Sequence, residues 1–140
     1  MKLMLTTAAA LLALSGTMAF ADGDAAEGEK DFKKCKSCHA ITDADGNDIV
    51  KGGKTGPNLW GVIGRQAGTD PEFEGKYGDS LVAAGEAGLI WTEELLIEYS
   101  HDPKEFLHDY LDDDKAKTKM TFKLKDSDDV AAYLATFTAE

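Results

Sequence analysis

The residues with the most chemistry in this chain are Cys35-Lys36-Ser37-Cys38-His39. Two thiols three apart share one face of a helical turn, and the imidazole four residues after the first thiol falls on that face too. Cys-x-x-Cys-His is the attachment signature of a c-type haem: two thioether bonds hold the porphyrin edge, and the histidine reaches the iron from one side. The same thiols could form half of a zinc site or a redox dithiol. A structural zinc site needs two more ligands, and His101 and His108 stand seven apart rather than three to five. A dithiol oxidoreductase needs strand patterns around the motif, and the sequence shows none. These are the chain's only two cysteines, so haem attachment would consume all the sulfur available for cross-links.

A haem iron with one histidine needs something at its other face. Met120 lies in the polar stretch Lys117-Thr118-Lys119-Met120-Thr121-Phe122, where no helical stripe accounts for it as core. A thioether there favours ferrous iron and raises the reduction potential. His101, His108 and Lys119 are the alternatives. The two histidines sit beside a Pro helix start and on a helix whose apolar side is supplied by other residues, and both read as surface groups.

The elements that must position these groups are helical. Residues 1–21 combine a basic start, a short apolar core and Ala19-Phe20-Ala21, the three parts of a cleaved export signal. That leaves 22–140 as one domain with Met120 as its single methionine. Asp24 with Glu27 predicts a capping box, and the helix it starts runs to the haem motif. Val130, Tyr133, Leu134 and Phe137 form an amphipathic stripe on a last helix capped by Ser127 or Asp126. Gly28, costly inside a helix, predicts the place where the two terminal helices cross. Between them, Asp79 is the expected cap of a short helix over 80–86 ended by Gly85 and Gly88. Thr92 caps a helix with Leu95, Leu96 and Tyr99, and Asp102-Pro103 opens one with Phe106, Leu107 and Tyr110 turned inward. The span from His39 to Trp91 reads as loop, which a compact domain tolerates only if the loop packs on a large apolar cofactor. No strand alternation is visible, so the fold class is all-α: about five helices with long loops wrapped around one covalently bound haem, the N- and C-terminal helices crossing.

The formal charge is −11, one unit more negative once Lys2 leaves with the signal, which excludes a nucleic-acid partner. Lysines nevertheless gather at 33, 34 and 36 and again between 115 and 125. If the two groups meet, the molecule has a basic face.

Gly28-x-x-x-Phe32, Cys35 to His39, Lys54-Thr55-Gly56-Pro57-Asn58-Leu59, Gly61-x-x-Gly64-Arg65, Trp91, Leu96-Ile97-Glu98-Tyr99, Asp102-Pro103, Lys117 to Phe122 and Tyr133-Leu134 occur in an order that resembles class I c-type cytochromes, and closely the bacterial cytochrome c2 group. The resemblance spans essentially 22–138. It implies a periplasmic one-electron carrier, monomeric and without enzymatic activity, with His39 and Met120 as axial ligands. A membrane cytochrome bc complex would be the donor, and an oxidase, a photosynthetic reaction centre or a periplasmic reductase the acceptor. Further roles follow from it: Pro57 offers its carbonyl to the His39 ring N–H; Tyr77 and Trp91 bond a haem propionate, with Arg65 near enough to offset its charge; Tyr99 sits by the Met120 sulfur with Thr118 nearby; Phe122 covers the haem edge. Lys34, Lys36, Lys54, Lys117, Lys119 and Lys123 would flank that edge and dock on acidic partners. The chain departs from the family in a longer stretch between Pro103 and Met120, and in Trp60 where Tyr, His or Phe is usual. The rival classes are a haem peroxidase or the small haem subunit of a dehydrogenase, both needing an open iron face or a substrate pocket, and a gas-binding module.

Overall fold

The computed structural model describes residues 23–138; the export signal assigned to 1–21 lies outside them. Five α-helices carry the architecture: α1 (Ala25–Asp31), α2 (Asp79–Glu86), α3 (Glu93–His101), α4 (Pro103–Leu111) and α5 (Asp128–Ala135).

The terminal helices cross as the glycine predicts. A Cβ at Gly28 would overlap the Asp129 carbonyl and the Tyr133 Cβ, so α5 rests directly on the backbone of α1. One turn on, Phe32 and Tyr133 pack with ring centroids 5.9 Å apart. Phe32, Val130 and Leu134 are buried at this crossing, each worth about 1.5–3 kcal/mol of apolar burial. The caps differ from the expectation. Asp24 does cap α1, its Oδ1 accepting from the Ala26 and Glu27 N–H groups at 2.8 and 3.2 Å. The return half of the box is replaced by the partner helix: Asp24 N–H donates to Asp129 Oδ1 at 2.7 Å, while Glu27 pairs with Lys30. Ser127 stands at the N-cap of α5 but turns inward, its Oγ accepting from Ser100 at 3.0 Å and tying α5 to α3.

The α1 chain continues as a 3-10 turn over Phe32–Lys34 and then as turn backbone through the haem motif, with His39 N–H donating to Cys35 O at 3.0 Å. After it comes a feature absent from the sequence reading, an antiparallel hairpin of β1 (Ile41–Thr42) and β2 (Asp48–Val50) with a register irregularity between Ile41 and Thr42. Strands of two and three residues are too short to display alternation. Their turn is built by Asp43, whose carboxylate accepts from the backbone of Asp45 and Asn47 and from the Asn47 amide. These bonds hold the Asp43 carboxyl below its ordinary range, the Asn47 backbone bond foremost.

The rest of the long loop is also pinned. Gly64 N–H to Trp91 O, Trp91 N–H to Arg65 O and Ala67 N–H to Leu89 O, at 2.7, 2.9 and 2.9 Å, zip its middle to the segment before α3. Helix α2 begins after Gly78, whose side-chain-less N-cap offers no hydrogen bond, so Asp79 is the first helical residue and not the cap. Thr92 and Asp102 cap α3 and α4 as expected, each accepting one N–H at 3.2 Å. Asp102 also pairs with Lys123 at 2.5 Å, and that ammonium is the chief cause holding its carboxyl below the usual range. Phe106 and Leu107 face inward, but Tyr110 is exposed and stacks on Phe106 at 5.7 Å: a helix of this length turns only part of its circumference to the core. His108, expected on the surface, is half-buried, its Nε2 donating to Ala116 O at 3.0 Å.

Candidate haem site

The loop ends and the faces of α2 and α3 enclose one large cleft of about 380 Å³, within the usual range for a small-molecule or cofactor site. Cys35, Cys38, His39 and Met120 all line it. No others of the chain's cysteines, histidines or methionines in the described residues do, since His101 is exposed and His108 is engaged with Ala116. Lys119 reaches the lining too, but its Nζ donates to Lys76 O at 2.8 Å.

The pentapeptide is clamped by the glycine loop after the hairpin. Gly53 N–H donates to Lys36 O at 2.8 Å and Gly56 N–H to Cys38 O at 2.9 Å. Gly56 lies against the imidazole so closely that a Cβ would enter the ring of His39, which fixes one face of that ring with backbone alone. Its tautomer is fixed as well. Pro57 O, 2.7 Å from Nδ1, can only accept, so Nδ1 carries the proton and Nε2 keeps its lone pair. Burial is the main cause that holds the imidazole below its ordinary pKa, with the Pro57 bond opposing it and Arg65 adding to it. The shift favours the neutral ring, the form in which histidine binds metals.

The two thiols differ. Burial pushes Cys35 up to about 11, whereas hydrogen bonds, from Thr55 first and Ser37 second, lower the exposed Cys38. Met120 is held at its backbone by Thr118, whose Oγ1 donates to Met120 O at 3.0 Å and accepts from Met120 N–H at 3.1 Å. Thr118 also bonds the buried Tyr99 hydroxyl, an effect that partly opposes the upward shift burial imposes on that phenol. Beside Met120 and continuous in its lining with the cleft, a small open pocket of about 50 Å³ lies among Leu96, Leu124, Val130 and Leu134.

The remaining expected residues separate into two groups. Pro57, Arg65, Tyr77, Trp91, Tyr99, Thr118 and Phe122 all line the cleft, with Phe122 48 % exposed at its mouth. Arg65 spends its guanidinium on backbone, Nη2 donating to Asn58 O at 2.8 Å and Nη1 to Trp60 O at 3.4 Å. The Tyr77 oxygen accepts from Asp70 N–H at 3.1 Å, leaving its own proton to donate; burial raises its pKa. Of the docking lysines, Lys34, Lys117 and Lys119 reach the lining, whereas Lys36, Lys54 and Lys123 are exposed outside it. Lys34 is paired with Asp31 at 3.1 Å and Lys123 with Asp102. Lys76, over the Phe73 ring at 5.6 Å, joins the mouth and was not anticipated; nor were Phe73, Leu81 and Leu96 in the apolar wall. Phe73 lies on a 3-10 turn within a loop and Leu81 on a short helix whose inward face no periodicity marks, whereas Leu96 belongs to the α3 stripe, which marks an inward face but not what that face meets.

An apolar, aromatic-walled cleft that gathers two thiols, a neutral imidazole with a free Nε2 and a thioether fits the donor set of a covalently attached haem. Comparison with known proteins agrees. The chain is 59% identical over 136 residues to cytochrome c2 of Rhodobacter capsulatus, covering 96% of this chain and 97% of that protein. It belongs to the cytochrome c2 family. Cytochrome c-550 of Paracoccus denitrificans is 51% identical over 138 residues, covering 96% of this chain and 88% of that one. Among solved structures, cytochrome c2 from Rhodobacter sphaeroides superposes with a TM-score of 0.80 at 46% identity, covering 85% of this chain and 99% of that one. No family model matches the chain. As a member of the cytochrome c2 family the chain has the class I cytochrome c fold, carries covalently bound haem c and is an electron-carrying cytochrome. Among the described residues no helix is long and apolar enough to cross a membrane.

Proposed function

We propose that this chain is an exported, monomeric, periplasmic one-electron carrier whose haem is attached through Cys35 and Cys38 and ligated by His39 and Met120. Its electrons would come from a membrane cytochrome bc complex and pass to an oxidase, a photosynthetic reaction centre or a periplasmic reductase. The observation that carries this reading is the convergence of all four groups on one cleft, from a turn and a distant loop.

Bound haem supplies a one-electron couple at iron that changes little in shape between its two states. The chain's part is to hold its ligands still and keep other reactants out. Gly56 and the Pro57 carbonyl fix the His39 ring, and Thr118 fixes the backbone that presents Met120. With His39 and Met120 both holding the iron, oxygen and peroxide would find no vacant position, which would separate a carrier from a peroxidase or a gas-binding module. Tyr77 and Trp91, which line the cleft with Arg65, would supply an O–H and an N–H to the propionate end, with the Arg65 charge near them.

Lys34, Lys76, Lys117 and Lys119 at the mouth, with Lys36 and Lys54 beyond it, make a cationic rim on an acidic protein. Such a rim steers docking over about a Debye length, roughly 8 Å at physiological salt. The bimolecular rate with a bc complex is therefore expected to fall about tenfold or more as salt rises from roughly 10 to 200 mM. A flat dependence in stopped-flow measurements would remove the rim from the docking step. Turnover with the oxidase and with the reaction centre of the same membranes then assigns the acceptor.

A further inference from the structure

Asp70 is one of two buried polar or charged side chains in the described core, 7 % exposed, and the electron-carrier reading gives it no task. Its two oxygens do different things. Oδ1 accepts from Glu72 N–H at 3.2 Å and caps the 3-10 turn Pro71–Phe73. Oδ2 crosses to another segment and accepts from Asn58 N–H at 3.0 Å. A cap needs one oxygen and no burial; the second bond is what draws the carboxylate inside.

Asn58 N–H and Pro57 C=O belong to the same peptide group. That group therefore has a carboxylate on its N–H side and the His39 Nδ1–H, at 2.7 Å, on its carbonyl side. A negative charge on an amide N–H pushes electron density toward the amide oxygen, and hydrogen bonds in series strengthen one another. The surroundings keep this peptide in place. The Asn58 side chain exchanges bonds with Thr42, its Oδ1 accepting from Thr42 N–H at 3.0 Å and its Nδ2 donating to Thr42 O at 2.7 Å. Arg65 Nη2 grips the next carbonyl, Asn58 O.

We propose that Asp70 is a positioning residue for the axial imidazole, acting through one peptide group: its carboxylate polarises the Pro57–Asn58 amide, and the amide oxygen in turn holds the His39 Nδ1–H. The arrangement is a carboxylate–histidine pair with a peptide inserted between its members. Carboxylates bonded directly to a metal-bound histidine raise its basicity as a ligand; here the same effect arrives one amide later. It stabilises the ferric state, where the iron draws more on its ligands, and so lowers the potential. The proposal rests on His39 as an iron ligand.

The test uses the mature haem protein with Asp70→Asn, which keeps an acceptor oxygen and removes the charge. Glu74→Gln, an exposed carboxylate on the same segment, is the control for charge alone. Asp70→Asn is expected to shift the ferrous-to-ferric ratio at fixed solution potential about three- to tenfold toward ferrous, about 30–60 mV at 59 mV per tenfold. The His39 Nδ1–H proton resonance of the ferrous protein should move upfield as its hydrogen bond weakens, and stay in place in Glu74→Gln. A potential change with an unmoved Nδ1–H would mean that Asp70 acts through space only, and overturns the relay. If Asp70→Asn fails to retain haem, scalar coupling between the Asn58 amide nitrogen and the Asp70 carboxyl carbon is expected in the ferrous wild type; its absence overturns the proposal. The same spectra test the underlying reading independently. A His39 ring without strong upfield ring-current shifts is not on the iron, whatever Asp70→Asn does.

Discussion

Met120→Ala is expected to abolish the far-red charge-transfer band of the oxidised protein and to lower its potential by on the order of 0.2 V, within the span of about 0.8 V that axial ligands set. A thioether ligand favours ferrous iron, so with Met120 as the proposed ligand its removal would move the couple downward. No neighbour stands ready to replace it. Lys119 has its ammonium on Lys76 O, Tyr99 is buried in an aromatic cluster with Trp91 and Phe106, and neither His101 nor His108 lines the cleft. Near-infrared absorbance and a redox titration check both effects. An unchanged band would remove Met120 from the coordination shell.

Gly28→Ala is the second large effect, and here two terms oppose each other. Alanine in a helix interior gains about 1 kcal/mol over glycine. Against this, its Cβ would meet the Asp129 carbonyl and the Tyr133 Cβ, neither of which can swing aside without parting the helices. Parting them loosens the Phe32–Tyr133 contact and the bond from Asp24 N–H to Asp129. Overpacking costs about 1–3 kcal/mol, with the upper end reached when backbone must move, so after the gain of about 1 kcal/mol a net loss of about 2 kcal/mol is expected. That is a fall in Tm of about 8–12 °C for a domain of this size. Thermal melting followed by far-UV circular dichroism measures it; a Tm equal to or above that of the wild type would show that α1 and α5 do not need the glycine.

Both predictions concern residues that the sequence singles out, and for a common reason. Met120 stood out as a lone thioether in polar surroundings, and Gly28 as a helix breaker inside a helix: each violates a local rule, and the violation points to something nonlocal. The pentapeptide, the α5 stripe and the caps at Asp24, Thr92 and Asp102 were legible because their signals lie within a few residues. What escaped is made by bonds between distant segments. In the sequence Asp70 is one of several acids with Glu72 and Glu74; only the fold shows its second oxygen on Asn58, twelve residues away. Ser127 had the right type and place for a cap, yet Ser100 on another helix takes its oxygen. The Asp43 hairpin has strands too short for any periodicity. Lys76 and Phe73 reached the cleft through a loop whose path is set by the ties between Gly64–Ala67 and Leu89–Trp91.

A carrier and an enzyme built on the same haem differ in one property, whether the iron can be reached. Carbon monoxide added to the reduced native protein at neutral pH measures this directly. With His39 and Met120 both on the iron, the absorbance spectrum should stay unchanged over minutes, while reduced Met120→Ala should bind the gas at once. Prompt binding by the native protein would contradict the closed, two-ligand site and favour an open one.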